Sequence, residues 1–198
     1  MGDNGGINAS IVLECCNEIN KFTNALIVLK STVTPDIVKK LSVLYNKFVY
    51  NPEFLTEKNA NEDCVNQFML VLGGGSHAQE ASFVKYGINT FLATKVTFFN
   101  QLYDIVKDND ANFNNIISAI GSDPRITHSH TTVPGFDNKR GYGGACFPKD
   151  TTAFDTFAKT FTLLSNAISI NTEYRKNYKL DKRELEQNIT FKEVGKKP

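Results

Sequence analysis

The chain contains no tryptophan, no C-x-x-C pair, no long apolar run and almost no net charge. Each absence removes a class of protein. Its four cysteines are Cys15, Cys16, Cys64 and Cys146. Neighbours such as Cys15 and Cys16 rarely bridge, so the set is no disulfide framework and a reducing compartment is expected. No stretch approaches the ~20 apolar residues that span a bilayer. The opening Met-Gly-Asp-Asn-Gly-Gly lacks the basic and apolar parts of a signal peptide, which makes the cytoplasm the expected location. A formal charge of +1 argues against nucleic acid or a membrane surface as the main partner. What remains is the composition of an ordinary globular protein, 41% hydrophobic and 22% charged over 198 residues.

Hydrophobic spacing divides the chain. Ile11, Val12, Cys15 and Ile19 share one helical face, which predicts a helix within residues 7–22. Residues 25–29 form a continuous apolar run, as in a strand buried on both faces. Thr34 and Pro35 then suit the N-cap and first position of a second helix. Residues 48–50 and 68–72 read as further strands, and strand–helix–strand order implies a parallel sheet. From Ala78 the period lengthens. Val84, Ile88, Phe91, Phe98, Leu102 and Ile105 form one stripe, and Ala81, Leu92, Phe99 and Val106 a second. One helix over residues 78–107, buried on two sides, fits this pattern, with a partner subunit as the second side. Further helices are expected over 110–120, 149–159 and 161–174, with a Gly-, Pro- and His-rich loop over 122–145. The fold class is α/β: a parallel sheet in residues 1–76, then an all-helical domain over 77–176 with one long central helix. Residues 177–198 read as a basic, solvated tail.

The string Gly141-Tyr142-Gly143-Gly144-Ala145-Cys146-Phe147-Pro148-Lys149-Asp150 carries the strongest chemical signal. Its glycines permit close backbone approach, and Pro148 marks a helix start just after Cys146. A thiol at a helix N-terminus beside a lysine has the setting of a nucleophile, although a lone cysteine is more often a small buried hydrophobe. Lys85 and Asn89, four apart, share a face of the long helix. Glu53 and Glu57 flank Phe54-Leu55 just past a strand end, where ligands sit in open α/β sheets, and exposed glutamates are the plain alternative. Residues 73–78, Gly-Gly-Gly-Ser-His-Ala, formally satisfy G-x-G-x-x-A. The helix that follows is too long for a dinucleotide crossover, so a flexible connector is expected. His128 and His130 lack partners at metal-ligand spacing, and no metal is expected. No histidine stands as a dedicated base for a cysteine hydrolase.

Five ordered motifs now converge on the UDP-glucose 6-dehydrogenase family, within the UDP-glucose/GDP-mannose dehydrogenases. Lys30-Ser31-Thr32-Val33 resembles the family's K-S-T-V strand end, and Asn51-Pro52-Glu53-Phe54-Leu55 with Glu57 and Ala60 resembles N-P-E-F-L-x-E-x-x-A. Lys85, Asn89 and Asn100 match the central helix, residues 121–126 the G-x-D-x-R-I turn, and residues 143–150 the cysteine motif. The resemblance implies a partial Rossmann-like sheet and a helical dimerisation domain, an NAD-dependent oxidation of UDP-glucose to the uronic acid, and a homodimer. It makes Cys146 the nucleophile that holds the sugar C6 as thiohemiacetal and thioester. Lys85 and Asn89 would stabilise the oxyanion, Asp150 would assist Lys85 and the hydrolytic water, and Glu53 would do acid/base work. Thr32 and Glu57 would lie beside the nicotinamide. Phe54, Leu55, Gly141, Tyr142, Gly143 and Gly144 would hold the sugar nucleotide, and Arg125 would reach it across the dimer. The family's opening strand and glycine turn have no counterpart in these residues, which implies a truncated form. A non-catalytic remnant or dimerisation module, and a dehydrogenase of GDP-mannose or a UDP-N-acetyl sugar, remain open on the sequence.

Overall fold

A computed structural model describes residues 7–55, 60–67 and 69–191. The chain folds as two compact units divided between Ile88 and Asn89, inside a single long helix. In the first unit, α1 (Ser10–Phe22) leads to β1 (Ile27–Leu29), α2 (Pro35–Leu44), β2 (Phe48–Tyr50), α3 (Ala60–Val65) and β3 (Gly73–Gly74). Strands β1 and β2 run parallel with Ile27 opposite Phe48, as the strand–helix–strand order implied. Pro35 occupies the start of α2 and Thr34 its N-cap position. Thr34 caps by backbone conformation alone, with no side-chain bond. Val38 and Leu41 of α2 bury completely against Tyr50 and Phe48, and Cys16 of α1 joins the same core.

Three expectations for this unit are corrected. Strand β1 is not buried on both faces: Ile27 and Leu29 face the core, while Val28 is 49% exposed. The third strand is not the apolar run 68–72 but Gly73–Gly74, paired antiparallel to β2, and Phe68 lies outside the described residues. The presumed flexible connector is therefore an ordered sheet edge. Gly73 explains why, since a Cβ there would stand 2.4 Å from the His77 carbonyl oxygen and 2.8 Å from the Ala81 Cβ. Only glycine lets β3 lie this close to the helix it feeds.

That helix, α4 (Ala78–Asp108), has 31 residues, about 46 Å at 1.5 Å per residue. Ala81, Lys85, Asn89, Ala93, Thr97 and Asn100 are buried along it. Beyond it the second unit holds α5 (Phe113–Gly121), α6 (Phe147–Phe157), α7 (Thr162–Arg175) and α8 (Lys182–Glu186). Asn112 caps α5 by accepting from the Asn115 N–H at 3.2 Å. Phe99, Val106, Phe113 and Val133 form one core of this unit, with Tyr103, Ile116 and Ile120 against it. The expected solvated tail is corrected in its described part. Residues 182–186 are helical, Glu184 is 1% exposed and Ile189 is buried. A salt bridge from Glu184 to a buried arginine overrides the solvated outcome that charge-rich composition predicts.

Candidate active site

In the first unit the candidate residues gather at the carboxyl ends of β1 and β2, where an α/β sheet offers its ligand crevice. The Lys85 ammonium, buried on α4, donates to the Glu53 carbonyl oxygen at 2.6 Å and stands 5.2 Å from the Phe54 ring centroid. The Glu53 carboxylate meets Lys30 at 2.7 Å. That hydrogen bond and charge hold the Lys30 ammonium above its ordinary range. Asn51 anchors the segment by donating to the Val71 carbonyl at 2.9 Å. Asn51, Glu53, Phe54, Asp63, Gln67 and Met69 line a small cleft. Thr32 and Leu55 are half-buried, and Glu57 lies outside the described residues.

In the second unit, Cys146 is the N-cap residue of α6, half-buried, with Pro148 in the first turn. Its carbonyl oxygen accepts the Asp150 N–H at 2.9 Å, which fixes Asp150 one turn away. Asp150 is 1% exposed and fully engaged: one oxygen accepts from Asn89 Nδ2 at 2.6 Å, the other from Lys149 Nζ at 2.6 Å. A buried carboxylate needs such partners, because desolvation without them costs several kcal/mol. The ring of His130 lies 5.6 Å from that of Phe147, the residue after Cys146. Burial first, and the Lys95 charge second, hold the His130 pKa below its ordinary value.

The glycine loop is held from behind by side chains that the sequence reading did not assign. Gly141 N–H donates to Asn100 Oδ1 at 2.9 Å, Tyr142 N–H to Asn171 Oδ1 at 2.7 Å, and Gly144 N–H to Glu184 Oε1 at 3.1 Å. Asn171 also donates back to the Tyr142 carbonyl at 3.0 Å. These three amides are spent within the protein and are not turned to a ligand. Burial raises the Tyr142 pKa. Arg140, just before the loop, lies between the Tyr103 and Tyr174 rings at 4.7 and 4.5 Å and bonds Asn100 and Asp104. Burial, with the Asp104 carboxylate accepting its proton, pushes the Tyr174 hydroxyl up to about 12. Arg125 stands apart from these groups. It is exposed and held by Asp123 at 2.6 Å.

Comparison with known proteins defines the class. The NAD-binding domain of the UDP-glucose/GDP-mannose dehydrogenase family matches residues 2–86, and its central domain matches residues 79–173. The UDP-glucose 6-dehydrogenase of Rickettsia bellii is 32% identical over 189 residues, covering 78% of this chain and 42% of that protein. The UDP-glucose 6-dehydrogenase TuaD of Bacillus subtilis is 31% identical over 211 aligned positions, covering 88% of this chain and 45% of that protein. A UDP-glucose dehydrogenase structure from Pyrobaculum islandicum superposes with a TM-score of 0.77 at 25% identity, over 87% of this chain and 48% of the other. The chain belongs to the UDP-glucose/GDP-mannose dehydrogenase family, and it spans less than half the length of the relatives named here.

Thr32 follows β1 at the carboxyl end of the strand, the side on which open α/β sheets bind ligands. The formal G-x-G-x-x-A match lies at residues 73–78. It consists of an antiparallel edge strand and one 3-10 turn, not the parallel strand-to-helix turn that grips phosphate.

Proposed function

We propose that this chain carries the covalent centre of an NAD-dependent UDP-glucose 6-dehydrogenase, oxidising the C6 alcohol of the nucleotide sugar to the uronic acid through Cys146. The observation that carries the reading is the placement of Cys146 as N-cap of α6 with Asp150, one turn on, buried and bonded to Asn89. NAD, when bound, supplies the hydride acceptor for both oxidations. Cys146 adds to the aldehyde carbon, so that a second hydride can leave from the same carbon and water can release the acid. A buried ammonium such as Lys85 stabilises developing oxyanion charge far better than an exposed one. Asn89 supports that role and fixes Asp150, which orients the hydrolytic water. Glu53, paired to Lys30, does acid/base work, and Thr32 and Glu57 serve the nicotinamide. Phe54, Leu55 and the 141–144 loop shape the sugar pocket, the loop through its carbonyls and Cα surfaces, since three of its amides are already bonded. Arg125, exposed on its turn, is suited to reach a partner subunit's substrate.

A homodimer is part of the proposal. Val84, Phe91, Phe98 and Ile105 are all exposed, spaced seven apart on α4. Seven residues are two turns, so they form one apolar stripe. A cytoplasmic setting accords with four cysteines that form no disulfide. Among the described residues, no helix is long and apolar enough to cross a membrane.

Alkylation of Cys146 by iodoacetamide, followed by peptide mass spectrometry, tests the substrate class. UDP-glucose at millimolar concentration is expected to slow Cys146 modification while leaving exposed Cys15 unchanged. GDP-mannose is expected to protect far less. Protection by GDP-mannose alone would move the chain to the sister activity.

A further inference from the structure

We propose that Glu184 and Arg175 are positioning residues for the Cys146 loop, a role that rests on Cys146 being the reacting thiol. One carboxylate ties three segments together. Glu184 Oε1 accepts the Gly144 N–H at 3.1 Å and Arg175 Nη2 at 2.8 Å. Its Oε2 accepts the Asp181 N–H at 2.9 Å, closing a capping box at the start of α8. Arg175, the last residue of α7, sends Nη1 to Asp137 at 2.7 Å. Both members of the pair are 1% exposed.

The fit against the loop is close. A Cβ on Gly143 would lie 1.5 Å from Arg175 Nη2, so the guanidinium occupies the space that any other residue would need. Gly144, with φ at +78°, adopts a left-handed conformation that its bond to Glu184 holds in place. Two residues further on stands Cys146, whose location at the start of α6 depends on where that turn delivers the chain. Stability alone does not require this chemistry. A buried ion pair is often matched or bettered by apolar residues of equal volume. What the apolar pair lacks is an acceptor for the Gly144 N–H, and that acceptor is what sets the loop.

The test compares iodoacetamide modification of Cys146 with that of exposed Cys15 in the same molecules. The variants are Glu184→Ala, Glu184→Gln and the double variant Arg175→Met/Glu184→Met. The double variant removes the pair without leaving a buried Arg175 charge unpaired by Glu184, which guards against simple unfolding. Losing one hydrogen bond frees the half-buried thiol, so Cys146 modification rises about fivefold or more relative to Cys15 in Glu184→Ala and in the double variant. Glu184→Gln keeps an acceptor oxygen for Gly144 and stays within about twofold of the parent. Amide exchange in α5 stays unchanged throughout, which a general loss of structure would not allow. An unchanged Cys146 rate in the double variant, or a rise that appears only together with faster α5 exchange, overturns the proposal. The assay uses neither NAD nor sugar, so its failure is distinct from failure of the dehydrogenase reading, which the serine variant of Cys146 decides.

Discussion

Replacing Cys146 with serine is expected to cut formation of the uronic acid about a thousandfold or more, the scale on which enzymes lose rate when a covalent nucleophile is removed. The measurement is made with NAD and UDP-glucose present, with acid and reduced cofactor quantified separately. The expected loss follows from chemistry at a fixed position. Serine preserves the N-cap of α6 and leaves the bonds of Asp150 to Asn89 and Lys149 in place. The serine hydroxyl, however, is far less ionised at neutral pH than a thiol. An ester on serine also hydrolyses less readily than a thioester. Turnover therefore stalls at or before the aldehyde, where no covalent adduct presents the second hydride. Undiminished acid from the serine variant would remove Cys146 from the mechanism.

The second large effect concerns assembly. The parent chain is expected to sediment as a dimer at micromolar concentration, and the double variant Phe91→Asp/Phe98→Asp as a monomer. Phe91 and Phe98 are 68% and 58% exposed in the single chain, with Ile105 on the same stripe at 62%. Isolated exposed apolar residues are common, but a continuous row of large ones marks an interface. Burying one Phe contributes about 1.5–3 kcal/mol, and two-fold symmetry counts each substitution twice. Four lost side chains at the low end already raise the dissociation constant by about 10⁴-fold. A parent chain that sediments as a monomer at micromolar concentration would show that α4 covers its stripe some other way.

Much of this organisation was legible because it is local. The long helix follows from a period that repeats over eight turns, and the start of α2 from the Thr34-Pro35 pair. The helix after Cys146 is announced by Pro148, and α6 begins one residue before it, at Phe147. The parallel pairing of β1 with β2 follows from the helix between them. What escaped was set by partners far along the chain. Gly73 and Gly74 have no strand propensity of their own, and they become a strand by pairing with Tyr50 and Val49. Val28 sits in an apolar run, yet the run cannot show that one face of β1 lacks a cover. Glu184 lies among lysines and arginines that composition assigns to solvent, and only the fold brings it to Arg175 and Gly144. Asn100 stood among the matched positions without a role. Its side chain proves to hold Arg140 and the Gly141 amide together, a contact spanning 40 residues that no local pattern encodes.

A bond from Cys146 to the sugar carbon is open to direct observation without any cofactor. The C6 aldehyde of UDP-glucose, labelled with carbon-13 at C6, is mixed with the purified chain and with its Cys146→Ser variant. Carbon-13 NMR of the parent is expected to show a new protein-bound resonance of a tetrahedral carbon attached to sulfur, absent from the serine variant. Spectra of the two proteins that show the same free aldehyde and hydrate, with no bound signal in either, would contradict a covalent role for Cys146.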